Sequence, residues 1–139
     1  MPPARPPAPR ALLAALIAAG AALFAGCSDD DRVTLAGPVV RVTLDDYAID
    51  PQDLSVPSGR VELVARNVGR VTHNLRVEVP PTEPGEESRQ LGGTPTAQPG
   101  QTVRTTITLE PGTYRLRCSL ANHDDLGMYG TLFVRKRKR

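Results

Sequence analysis

The chain has no tryptophan and is short of every residue on which metal, redox and stacking chemistry depend. Its 139 residues include two histidines, two cysteines and two methionines, with five Phe and Tyr together. Two histidines leave no room for a second imidazole-rich centre once one is built. A disulfide framework is excluded if Cys27 is consumed elsewhere, because Cys118 then has no partner. Aromatics are too few to interleave with basic residues, which argues against nucleic acid as a partner. Also missing are a long helical period and an apolar run of the roughly 20 residues a membrane span needs; the longest, Ala11 to Gly26, falls short.

That short run has a use of its own. Residues 1–10 are proline-rich with Arg5 and Arg10, the apolar stretch follows, and Leu23-Phe24-Ala25-Gly26-Cys27 precedes an acidic Asp29, Asp30 and Asp31. The order is that of a secretory signal peptide over residues 1–26. Its ending resembles a bacterial lipobox, which implies lipidation of Cys27, a membrane anchor and an extracytoplasmic location; Phe24 stands where an aliphatic residue is usual. Of the 17 basic residues two lie in this leader, so 15 remain against 15 acidic ones and the processed chain is formally neutral. Five of those positive charges are Arg135 to Arg139, a basic C-terminal tail read as a solvated terminus.

Residues 27–37 read as the lipidated cysteine and a flexible tether, and residues 38–134 as one domain. Val40, Val42 and Leu44 alternate with Arg41 and Thr43, and Val103, Thr105, Ile107 and Leu109 repeat that period of two. His73, Leu75, Val77 and Val79 share a face, with Arg76 and Glu78 opposite, so His73 begins a strand on its apolar side. Residues 80–100, rich in proline and glycine, are expected to form a long surface connection with a short helical turn around Glu86 to Gln90. Tyr114, Leu116 and Cys118 alternate with Arg115 and Arg117, which closes a strand with the sulfur inward. Leu109 to Tyr114 has the spacing of a tyrosine corner. The fold class expected is all-β, an antiparallel Greek-key β-sandwich of seven to eight strands.

The scarce residues are not scattered. In Cys118-Ser-Leu-Ala-Asn-His123-Asp-Asp-Leu-Gly-Met128 a thiolate, an imidazole and a thioether recur at regular spacing, and His73-Asn74 stands upstream. Taken singly, a cysteine ending an apolar strand is a small core residue and a methionine fills gaps. Jointly, they form one complete ligand set with nothing left over. Two imidazoles, a thiolate and a weak axial thioether suit copper shuttling between Cu(II) and Cu(I). Zinc accepts Cys and His, but would leave the thioether unexplained.

These same residues resemble the cupredoxins, the plastocyanin and azurin family of blue copper proteins. The resemblance covers about residues 38–134 and implies a Greek-key sandwich with one type 1 copper serving single-electron transfer. It implies His73, Cys118 and His123 as equatorial ligands, Met128 as the axial one, and Asn74 as a brace of the ligand loop by hydrogen bonds. The carbonyl of Thr72 is a further candidate near the opposite axial position. Redox protein partners are expected to dock near His123, with Leu120, Ala121 and Leu126 as an apolar patch and Asp124 and Asp125 favouring a basic partner face. The protein is expected to be a monomer.

A copper enzyme would need further histidines, and a binuclear site a second cysteine in the loop, where Asn122 stands instead. The rival that survives is a copper-binding or delivery protein, although neither a Met-rich stretch nor a Cys-x-x-Cys motif occurs.

Overall fold

The computed structural model describes Met1 and residues 31–138. The leader and Cys27 lie outside the described residues. Among those described there is no α-helix, and none is therefore long and apolar enough to cross a membrane.

Among the described residues ten strands form two sheets. They are β1 (Val33–Thr34), β2 (Val39–Asp45), β3 (Ala48–Asp50), β4 (Asp53–Pro57), β5 (Gly59–Asn67), β6 (Arg76–Val79), β7 (Arg89–Gly93), β8 (Thr102–Leu109), β9 (Gly112–Arg117) and β10 (Tyr129–Arg135). One sheet runs β1-β4-β10-β9-β6-β7 and the other β3-β2-β5-β8. The alternation in β2 is realised as read: Val40, Val42 and Leu44 are buried beside Leu63 of the same sheet, and Leu54, Leu116 and Leu132 of the other sheet join them in the core. Each such buried side chain contributes about 1.5–3 kcal/mol.

The sandwich differs from the expected one in its pairing. Both sheets are mixed, since β1 and β10 run parallel to β4, and β2 runs parallel to β5. Parallel pairing joins strands that are distant in sequence, so no hairpin turn announces it. Val33 and Thr34, expected to be tether, form β1, and Arg135, counted with the tail, ends β10.

Residues 80–100 are not one long connection. They contain the edge strand β7, paired antiparallel with β6, and no helical turn forms at Glu86 to Gln90. Gly93 permits this pairing: a Cβ there would strike the Leu75 carbonyl and the Arg76 side chain. The pairing of β6 with β7 shifts register between Val77 and Glu78, leaving Leu91 of β7 unpaired, while Glu78 stays opposite Arg115 on the outer face and is buried there under Arg117 and Ser88.

The tyrosine corner is present. Tyr114 Oη donates to the carbonyl of Glu110 at 2.8 Å across the turn into β9. Tyr114→Phe keeps the ring and loses this bond, so chemical denaturation is expected to show a loss of about 0.5–1.5 kcal/mol.

Candidate metal centre

The metal-binding candidates collect at one end of the sandwich because β9 stops there. Cys118 follows its last residue, and its N–H donates to the Met128 carbonyl at 3.1 Å. The nine residues between make a compact loop, tied by Leu126 N–H to the Asn122 carbonyl and Gly127 N–H to the Asp124 carbonyl. Gly127 takes φ 111°, a left-handed conformation that L side chains adopt only with strain. Met128 N–H then donates to the His123 carbonyl at 3.0 Å, returning the chain to β10.

His73 arrives from the other side of the ligand loop. It lies ahead of β6, in a single bridge with Ala97, so it precedes a strand instead of beginning one. The loop that delivers it is pinned by Asn67, fully buried, whose Nδ2 donates to the carbonyls of Val71 and Ala97, both at 2.8 Å. Gly69 N–H donates to Asn67 Oδ1 at 2.9 Å.

Three of the candidate ligands meet. Cys118 Sγ is 4.0 Å from His73 Nδ1 and 3.5 Å from His123 Nδ1, and all three donor atoms lie within 4.8 Å of one another. Three donors bound to one ion at roughly 2.0–2.3 Å in a trigonal plane are about 3.5–3.8 Å apart. The cluster is therefore already close to ligating geometry. Cys118, His73 and Met128 are fully buried, whereas His123 is partly exposed. Burial pushes the His73 imidazole below its usual pKa, more strongly than the facing Asp46 raises it, and so favours the neutral ring a metal requires. The donor set fits copper, with soft thiolate and thioether joined to imidazole.

Asn74 bonds to the loop that begins at Cys118. Its Oδ1 accepts from the Ser119 N–H at 2.9 Å, and its Nδ2 donates to Ser119 Oγ at 3.0 Å. This fastens the residue after Cys118 to the residue after His73. Asn74→Ala is expected to lower metal affinity about 10–100-fold, the usual effect of losing an outer partner, as measured by chelator competition.

The two loop carboxylates have different fates. Asp124 Oδ2 accepts from Arg117 Nη1 at 3.1 Å and lies 4.0 Å from Arg115 Nη2, so its charge is met within the molecule. Only Asp125 faces solvent, beside exposed Ala121 and Leu126 and half-buried Leu120. Arg117 also donates through Nε to buried Glu78 Oε1 at 2.8 Å.

Sequence reasoning missed Asp46, Tyr47, Asn67 and Gly69. Tyr47 packs edge-on against His123 with ring centroids 5.3 Å apart, and Asp46 Oδ1 lies 3.5 Å from His73 Nε2. Asn67-x-Gly69 carried a turn signal that marked the loop. Nothing local ties Asp46 or Tyr47 to residues so distant in the chain.

Comparison with known proteins agrees with this architecture. The family model for a cupredoxin-like domain matches residues 14–134. Reduced auracyanin from the photosynthetic bacterium Roseiflexus castenholzii superposes with a TM-score of 0.61 at 22% identity, covering 73% of this chain and 99% of that one. Auracyanin A, described as a "blue" copper protein from Chloroflexus aurantiacus, gives 0.59 at 23% identity, covering 75% and 99%. Auracyanin B gives 0.57 at 26% identity, covering 70% and 88%. Among curated proteins, the iron uptake system component EfeO of Yersinia pseudotuberculosis serotype I (strain IP32953) is 30% identical over 86 residues. That match takes in 62% of this chain but 21% of EfeO, so the chain spans about a fifth of its relative's length.

Proposed function

The chain belongs to the cupredoxin-like domain family, and on that premise we propose that it is a type 1 copper protein carrying single electrons between extracytoplasmic redox partners. The observation that carries this reading is the convergence of His73 Nδ1, Cys118 Sγ and His123 Nδ1 within 4.8 Å. These three, together with Met128, would hold copper. Copper bound there would supply a one-electron Cu(II)/Cu(I) couple.

The chain's own residues do the rest. Cys118, His73 and Met128, all fully buried, keep water from the donors. Strand ends and the Asn74 brace fix the ligands in place, which suits a site that must change little between oxidation states. His123 is the ligand that reaches the surface, so electrons would pass at its ring edge, where Leu120, Ala121 and Leu126 offer an apolar contact. The reading is of a carrier and not an enzyme, because both histidines of the sequence belong to one site. Iron in an uptake role, the description borne by the EfeO relative, would call for harder oxygen donors than a thiolate and a thioether. The leader over residues 1–26 would export the chain, and lipid on Cys27 would anchor it to the membrane.

Copper(II) added to the purified protein is expected to bind at one equivalent with an intense visible thiolate-to-copper band, and electron self-exchange is expected to outpace loss of copper to a chelator. A missing band sinks the type 1 assignment. Slow self-exchange with ready metal loss favours a delivery protein.

A further inference from the structure

One polar atom at the centre has no ordinary partner. His73 turns Nδ1 toward Cys118, while its Nε2 is buried without a hydrogen bond of normal length. Facing it is the Asp46 carboxylate, whose Oδ1 lies 3.5 Å away. Asp46 sits in the turn between β2 and β3, on the opposite sheet.

The carboxylate is held there by its surroundings. Its Oδ1 accepts from the backbone N–H of Arg70 at 2.8 Å and of Val71 at 3.3 Å, and its Oδ2 accepts from Arg70 Nε at 2.9 Å. Two backbone N–H donors and the Arg70 guanidinium thus surround the carboxylate, a setting that favours its charged form. Gly69 makes the approach possible, since a Cβ there would stand 2.5 Å from Asp46 Oδ1 and 3.1 Å from His73 Nε2. The next residue, Tyr47, takes φ 67° and sets its ring against His123. A single turn thus addresses both imidazoles.

We infer that Asp46 is a positioning residue for the metal centre, receiving the Nε2–H of His73 so that Nδ1 is left free for copper, while its charge lowers the reduction potential. The inference rests on the type 1 copper reading. A ring nitrogen bonded to a carboxylate fixes the tautomer and makes the other nitrogen a stronger donor. A nearby negative charge favours the oxidation state with the extra positive charge, Cu(II). Arg70 opposes that effect from the solvent side, where its side chain is 92% exposed and its influence is screened.

The test compares the copper-loaded full chain with two variants by spectroelectrochemical titration. Asp46→Asn keeps an acceptor and removes the charge, so the preference for Cu(II) over Cu(I) is expected to fall about tenfold, a rise of ~59 mV. Arg70→Gln is expected to move the potential the opposite way, by less than threefold. Both changes loosen the same contact, so a merely structural role gives shifts of one sign. Shifts of one sign, or an Asp46→Asn shift under twofold, overturn the inference.

A second arm uses metal-free protein with labelled imidazole nitrogens. His73 is expected to carry its proton on Nε2 in the parent and in Asp46→Asn, and to lose that preference in Asp46→Ala. A parent protonated on Nδ1, or an unchanged Asp46→Ala, overturns the positioning role. Failure of the parent to bind copper at all counts against the proposed function, and the tautomer measurement still decides the part assigned to Asp46.

Discussion

The Cys118→Ser chain is expected to fold, to give no intense visible band with copper(II), and to bind copper(I) more weakly by more than the roughly 10–100-fold that loss of an outer partner costs. Serine matches cysteine in shape, so the fully buried site stays filled. The donor, however, changes from a soft thiolate to a hard hydroxyl, and copper(I) prefers sulfur. Cys118 is the free cysteine among the described residues, so no neighbouring thiol there can take its place. Placing a hydroxyl among apolar groups adds about 1–3 kcal/mol of instability, which urea unfolding of the metal-free protein measures separately from the ligand effect. A band that survived the substitution would assign the chromophore to another donor.

A stability loss of about 3–5 kcal/mol is expected for Arg117→Met, read by urea unfolding. Glu78 is only 2% exposed, and its carboxylate is met by Arg117 Nε at 2.8 Å and Ser88 Oγ at 2.6 Å. Burial works against the charged Arg117, yet Glu78 and then Asp124 raise its pKa above the ordinary arginine value. Removing the guanidinium strands a buried anion, and that exceeds what the pair itself is worth. Glu78→Leu combined with Arg117→Met is therefore expected to recover most of the loss. A double variant no more stable than the single one would show that the packing of the arginine stem matters more than the stranded charge. The single variant also frees Asp124, the residue after His123, so copper retention is expected to fall with stability.

Much of this molecule is legible in its sequence wherever the controlling contact is local or chemically unusual. The period of two in β2 and β8 follows from alternating burial, and the Tyr114 corner follows from a turn and a ring four residues apart. The ligand loop was readable because cysteine, histidine and methionine are so scarce here that their spacing carries information. Legibility ends where partners are remote. Edge strand β7 exists because β6 offers an open row of backbone donors and acceptors, and its glycines and prolines read locally as loop. Glu78 keeps the outward face that alternation gives it, yet it is buried because Arg117 and Ser88, remote in the chain, close over its carboxylate. Asp124 reads as a surface charge until Arg115 and Arg117 are placed beside it by the strand that ends just before Cys118. Asp46 and Tyr47 act across the sandwich, a relation that only the closed sheets create.

The parallel pairing of β1 with β4, and of β4 with β10, also sets a polarity. All three strands run away from the ligand end, with β1 starting level with Leu132 in the middle of β10 and Arg135, the last residue of β10, at the far end. A protein grafted to a support at the Arg135 end of β10 therefore turns its ligand end toward solution.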